Sequence, residues 1–166
     1  PAHHDEGAGG DHVYTPWWLY KEQKAGKLNF ARGYHIEIGG TRPMPGGRSP
    51  VPDSFLRGAY GTKLKEEARR YYGSFVRYAA RGEMIPNANS FAELDPSVKD
   101  KFGIPVLRWH WRWSDHELNQ ALHAEKTFAA LIGEMGGKVV GSLSKSGIEA
   151  IAPGGKIIHE VGGALM

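Results

Sequence analysis

Residues Pro105 to Trp113 read Pro-Val-Leu-Arg-Trp-His-Trp-Arg-Trp, and the run alternates strictly. Val106, Arg108, His110 and Arg112 fall on one side of an extended chain and Leu107, Trp109, Trp111 and Trp113 on the other, because successive strand side chains point to opposite faces. No helix sustains a period of two. The segment is predicted to be a strand with one cationic and one aromatic face, and a one-residue slip in pairing would exchange the two. Ser114-Asp-His-Glu117 follows at once with the spacing of a capping box, and Leu118, Leu122, Phe128, Leu131 and Ile132 then keep a helical period until Gly136-Gly137.

The rest of the chain is read around this strand-to-helix unit. Phe30 to Ile38 alternates through Tyr34, Ile36 and Ile38 and predicts a strand with one wet face. Thr62 to Tyr72 is rich in helix formers, with Thr62 as cap and Gly73 as stop, and Phe75 to Ala80 reads as a further strand. Residues 83 to 104, with Asn87-Ala-Asn-Ser and Leu94-Asp-Pro-Ser, read as a turn-rich excursion. Val13 to Tyr20 is an aromatic extended segment, Val139-Val140 a short extended piece, and Pro153-Gly154-Gly155 breaks the run from Ile148 to Ile158. Residues 1–12 are loop or disordered, and the Pro/Gly string 41–53 is a long loop and candidate lid. There is no internal repeat. Strands and helices alternate too irregularly for a doubly wound sheet, so the expected class is α+β, a largely antiparallel sheet flanked by helices.

Composition removes several functions. With 166 residues and 40% apolar content the chain can bury a core. Its 21 basic and 18 acidic residues leave +3 and no long single-sign run, so neither nucleic acid nor anionic lipid is an expected partner. The absence of cysteine excludes disulfides, thiolate catalysis and thiolate metal sites, and leaves the compartment open. No apolar stretch approaches the ~20 residues of a membrane span. The runs Gly7-Ala-Gly-Gly10 and Gly136 to Gly141 both fail the dinucleotide-binding spacing. No metal site is expected: His3, His4, Asp5, Asp11 and His12 are scattered in a polar terminal stretch, and His116 and His123 lie about 10 Å apart along a helix.

Two places can carry chemistry. The strand 105–113 fits a buried sheet face, an RNA-stacking platform, or the wall of a substrate cavity. In the last case His110, with Arg108 or Arg112, faces a polar ligand while Trp109, Trp111 and Trp113 pack beneath. His159 follows Ile157-Ile158 and precedes Gly162-Gly163, a layout suited to a strand end that delivers an imidazole to a ligand, or to a structural histidine.

Two motifs, Ala92-Glu-Leu-Asp-Pro-Ser-Val-Lys-Asp-Lys-Phe-Gly-Ile-Pro-Val-Leu-Arg108 and His159-Glu-Val-Gly-Gly-Ala-Leu-Met166, resemble the C-terminal part of glucose-methanol-choline (GMC) flavoprotein oxidoreductases. The resemblance runs from about Tyr34 to Met166. It is closest to the bacterial branch of gluconate, fructose and glycoside dehydrogenases, and extends more distantly to pyranose oxidase. It implies a substrate-binding domain over 13–140 and, over 141–166, the start of a segment returning to an FAD-binding domain. It further implies oxidation of a CH–OH group of a sugar or polyol, with His159 as the base that takes the hydroxyl proton while hydride passes to flavin N5. Gly162 and Gly163 would then let the backbone approach the FAD ring. On this reading the chain is a piece of a larger protein, inactive alone, completed by the remaining flavin domain and by a small subunit in some relatives. Three features depart from the family pattern: the glycine-rich ADP fingerprint and the downstream Asn or His partner of the catalytic histidine do not occur, and Leu165 stands where arginine is usual. The alternative function is a noncatalytic carbohydrate- or partner-binding module working through the aromatic strand.

Overall fold

The computed structural model describes residues 13–39, 51, 53–56 and 58–156. The readings made for 1–12, for most of the 41–53 loop and for His159, Gly162 and Gly163 lie outside the described residues. The elements run β1 (Val13–Thr15), α1 (Tyr20–Lys24), β2 (Tyr34–Gly39), α2 (Asp53–Leu56), α3 (Gly61–Tyr71), β3 (Arg77–Gly82), β4 (Phe91–Lys99), β5 (Pro105–His110), α4 (Asp115–Glu134) and α5 (Gly147–Ala150). Mixed helices and antiparallel pairs make the class α+β, as the sequence predicts.

Two compact units share the described residues, one drawn from 1–16 with 35–81 and the other from 17–34 with 82–166. In the first, β2 is the central strand of a three-stranded sheet ordered β1-β2-β3, and β1 pairs with it antiparallel, Val13 opposite Ile38 and Thr15 opposite Ile36. Alternation puts Ile36 fully inside, with Val51 buried as well. Glu37 points the other way and receives Arg81 from β3 at 3.1 Å. Helix α3 starts at Gly61, a residue before the expected Thr62 cap; extended Tyr60 precedes it without a side-chain capping bond. Its end is as predicted, since Gly73 takes a φ of +77°, the left-handed conformation that glycine adopts at low cost.

In the second unit α4 is the spine. Its N-terminus is the predicted capping box: Ser114 Oγ accepts from the His116 N–H, and Glu117 reaches back to the Ser114 N–H at 2.7 Å. Its C-terminus closes in a Schellman arrangement, with Gly136 at φ +72° and the Gly137 N–H donating to the Ile132 carbonyl at 2.8 Å. The face it buries most deeply differs from the leucine stripe. Glu117, Gln120 and Ala124 are buried, whereas Leu118, Leu122, Phe128, Leu131 and Ile132 are half-buried.

The reason is a backbone segment laid along the helix. Asn119 Nδ2 donates to the Asn29 carbonyl, Gln120 Nε2 donates to the Gly33 carbonyl, and His116 Nδ1 accepts from the Ala31 N–H. Tyr34 Oη meets His123 Nδ1 at 2.7 Å and Thr127 Oγ1 at 3.1 Å. Polar α4 side chains thus bond backbone groups of residues 29–33, and the Gly33 carbonyl also accepts from the Glu83 N–H at 3.1 Å. Phe30 and Tyr34, both buried, pack with Trp17 and His123 over this contact. Helix α5 packs on α4 at Gly147, where an added Cβ would lie 2.5 Å from Leu118.

Three local readings are corrected. Residues 91–99 are a strand, β4, and not a turn-rich excursion. The Asp-Pro-Ser signal is absorbed as a break in register between Leu94 and Lys99, where Asp95 Oδ1 accepts from the Ser97 N–H, the Ser97 hydroxyl and the Val98 N–H. Val139-Val140 forms no strand, and the short helices α1 and α5 were not foreseen. The aromatic face of 105–113 is not buried beneath the cationic one: Trp109 is 51% and Trp111 41% exposed. β4 and β5 form a two-stranded sheet, so the side carrying Leu94, Leu107 and Trp109 has no second layer among the described residues.

Candidate functional site

The β4–β5 ribbon is in register with Phe91 opposite His110, Ala92 opposite Trp109 and Glu93 opposite Arg108. Directly opposed residues share a face, so the cationic side of β5 meets the acidic side of β4. Arg108 Nη2 lies 2.8 Å from Asp95 Oδ2, and His110 Nε2 lies 2.8 Å from Glu93 Oε1, with the Phe91 ring stacked on the imidazole at 4.2 Å. Hydrogen bonds from Ser97 and Val98, with the Arg108 guanidinium beyond them, pull the Asp95 carboxyl down to about 2, so it is ionised at neutral pH. Two of the three predicted substrate-binding side chains, Arg108 and His110, are therefore already engaged within the ribbon.

Arg112 stands apart. The strand ends at His110, and the backbone of Arg112 is clamped instead of laddered. Its N–H donates to Ser90 Oγ at 3.1 Å, and its carbonyl accepts from Ser90 Oγ at 3.2 Å and Asn87 Nδ2 at 3.3 Å. Asn87 Oδ1 accepts from the Asn89 N–H, which fixes the turn from the other side. On this frame a cavity of about 280 Å3 is lined by Asn87, Asn89, Arg112, Trp113, Ser114 and Asp115. Trp113 also lines it, and its indole Nε1–H is sealed from solvent without a hydrogen-bond partner among the described residues.

Glu117 locks the far wall. Its Oε1 accepts from the Ile85 N–H at 2.8 Å while Oε2 accepts from the N–H and the hydroxyl of Ser114, so one carboxylate ties the approach to the Asn87 turn to the start of α4. Burial pushes this carboxyl up, but the bonds from Ile85 and Ser114 outweigh it and hold it below its usual range.

Of the residues lining this cavity, the sequence analysis names Arg112 as a candidate contact and does not name Asn87, Asn89 or Asp115. In the sequence Asn87 and Asn89 signal a turn and Asp115 a helix start, and nothing local encodes the meeting of residues 87–90 with 112–115. His159, Gly162 and Gly163 lie outside the described residues. Among the described residues no group of three metal-type side chains converges, and no helix is long and apolar enough to cross a membrane.

No family model matches the chain, and no solved structure matches it. It is similar to the gluconate 2-dehydrogenase flavoprotein of Pantoea cypripedii, with 24% identity over 163 residues. That alignment takes in 96% of this chain and 26% of the relative, so the chain spans about a quarter of the length of the protein it matches. The likeness is a distant one, to a flavoprotein dehydrogenase.

Proposed function

We propose that this chain supplies the substrate-side part of an FAD-dependent oxidoreductase of the GMC type, acting on a CH–OH group of a sugar or polyol. The observation that carries the reading is the 24% identity extending over 163 residues to a flavoprotein dehydrogenase. The described residues do not themselves make a flavin site. They hold no strand, glycine loop and helix of the dinucleotide type, and 280 Å3 is below the roughly 300–1,000 Å3 usual for small-molecule sites. FAD, which supplies a two-electron hydride acceptor when bound, would be held by other parts of the protein. Gly162 and Gly163 are the proposed close-approach residues of this chain.

On this reading His159 takes the substrate hydroxyl proton, which requires the imidazole neutral and within hydrogen-bond reach of that oxygen. Arg112 is the substrate contact among the three predicted ones, since Arg108 and His110 are held by Asp95 and Glu93. The test is a flavin spectrum and a polyol-oxidation assay with an artificial electron acceptor on the larger protein that this reading requires, and on its His159→Ala variant. The expected result is flavin absorbance in both and a fall in kcat of about 100- to 10,000-fold in the variant. Absence of flavin and of oxidation, or an unaffected variant, refutes it.

A noncatalytic carbohydrate- or partner-binding role is the second reading, favoured by the exposed Trp109 and Trp111. It expects binding lost in Trp109→Ala with no oxidation at all.

A further inference from the structure

The two faces of the β4–β5 ribbon differ in what they leave unfinished. On one, Arg108 is paired with Asp95 and His110 with Glu93, so its charges are already met. On the other, Ala92 lies opposite Trp109 and Leu94 opposite Leu107, four uncharged side chains side by side. Leu94 is 62%, Leu107 56% and Trp109 51% exposed, and β4 and β5 pack substantially only on each other. Trp111, next in the alternation, shows how this row is covered where a cover exists. An added Cβ at Gly154 would lie 2.7 Å from the Trp111 ring, so the chain at Gly154 rests directly on it. Nothing among the described residues does the same for Trp109, Leu107 or Leu94. The unit has little else to offer, since its buried apolar side chains are Phe30, Tyr34 and Ala124.

Size and charge select the occupant. At these exposures Leu94, Leu107, Trp109 and Trp111 together offer about 400 Å2 of apolar surface. A stable interface between separate molecules buries roughly 800 Å2 on each partner, so a second copy or a free protein would be held too weakly here. A segment of the same polypeptide needs no such area, because it arrives at an effective concentration of about millimolar. No charge stands at the paired positions of this face, so nothing on it recruits nucleic acid or an anionic headgroup. The alignment supplies the polypeptide: 96% of this chain matches 26% of the flavoprotein, whose remaining length lies outside the match.

We infer that the Leu94, Leu107 and Trp109 face is an internal interface, covered by an uncharged apolar surface from the part of a longer polypeptide outside residues 1–166. The inference rests on the proposed membership of a larger protein, but it needs neither flavin nor oxidation to be observed.

The experiment is done on the larger protein. Residues 1–166 contain no cysteine, so Leu107→Cys and, as an exposed control, Tyr60→Cys report maleimide modification at single sites of this region, read peptide by peptide in a mass spectrometer. Tyr60 is 85% exposed. The expected result is modification of Leu107→Cys about 100-fold slower than the control in the native protein, with equal rates in urea. Carbene footprinting of the unsubstituted protein reads the same face and keeps the test decisive if the cysteine variant misfolds. A photo-crosslinking benzophenone amino acid at Leu94 identifies the cover, and the expected product is an internal cross-link to a peptide outside residues 1–166. Labelling of Leu107→Cys at the control rate overturns the inference. So does a cross-link within residues 1–166, or protection that is lost on dilution with a cross-linked dimer, which would mark a second copy. Flavin and oxidation in a protein whose face labels freely remove the inference alone. A protected face without flavin or oxidation removes the oxidoreductase reading alone, and a native product of only 166 residues, seen in its mass, removes both.

Discussion

Glu117→Ala tests whether one buried carboxylate holds the wall of the site. The wild-type side chain, 3% exposed, accepts from the Ile85 N–H, the Ser114 N–H and the Ser114 hydroxyl. Alanine removes all three acceptor contacts and leaves two backbone donors in half-buried positions. Hydrogen bonds to a charged group contribute about 1.5–3 kcal/mol each, and a lost cap costs about 1 kcal/mol. These share one carboxylate and do not add, so the expected loss is about 3–4 kcal/mol. With a urea m-value near 2 kcal/mol/M, the unfolding midpoint falls by roughly 1.5–2 M in circular dichroism. Ser114→Ala, which leaves the Ile85 bond in place, is expected to lose only about 1 kcal/mol. Glu117→Gln keeps one acceptor oxygen and falls between them. Hydrogen exchange at the Ile85 amide should accelerate in Glu117→Ala and not in Ser114→Ala. If the two alanine variants are equally stable, Glu117 acts as an ordinary cap and its tie to Ile85 contributes nothing.

Gly147→Ala places a Cβ 2.5 Å from both the Leu118 side chain and its carbonyl oxygen, so a loss of about 1–3 kcal/mol is expected in the same denaturation assay; a stabilised variant would show that α5 is not docked on α4 as described. Asp95 titrates at about 2 when folded against 3.8 unfolded, so its contribution is present above the unfolded value and lost as pH falls from near 3.8 toward 2. Stability measured through that window should fall less steeply for Asp95→Asn than for wild type, and parallel curves would refute the assignment. With the Thr127 hydroxyl donating to the His123 carbonyl, a Tyr34 hydroxyl that donates to Thr127 requires hydrogen on His123 Nδ1, and this is the arrangement predicted. Nitrogen chemical shifts should show this tautomer, and burial, aided by Lys126, should make the ring titrate below its ordinary value; an Nε2–H tautomer contradicts the hydrogen-bond chain.

What the sequence alone determined are features whose causes lie within a turn or a few residues. The Ser114–Glu117 capping box, the Gly136-Gly137 stop, the strand beginning at Pro105 and the inward Tyr34 and Ile36 are all as read, because capping geometry and side-chain period are local properties.

Tertiary structure decided the rest, for the reason that burial and pairing depend on partners far along the chain. The Asp95-Pro96-Ser97 turn signal became an irregularity inside β4 because β5 supplied a partner strand. The polar face of α4 was buried because residues 29–34 brought backbone groups in need of hydrogen bonds. Trp109 was left in the open because its ribbon has two strands and no layer above that face among the described residues. The cavity exists because Ser90 and Asn87 reach a backbone more than twenty residues away, and no periodicity in either segment encodes that meeting.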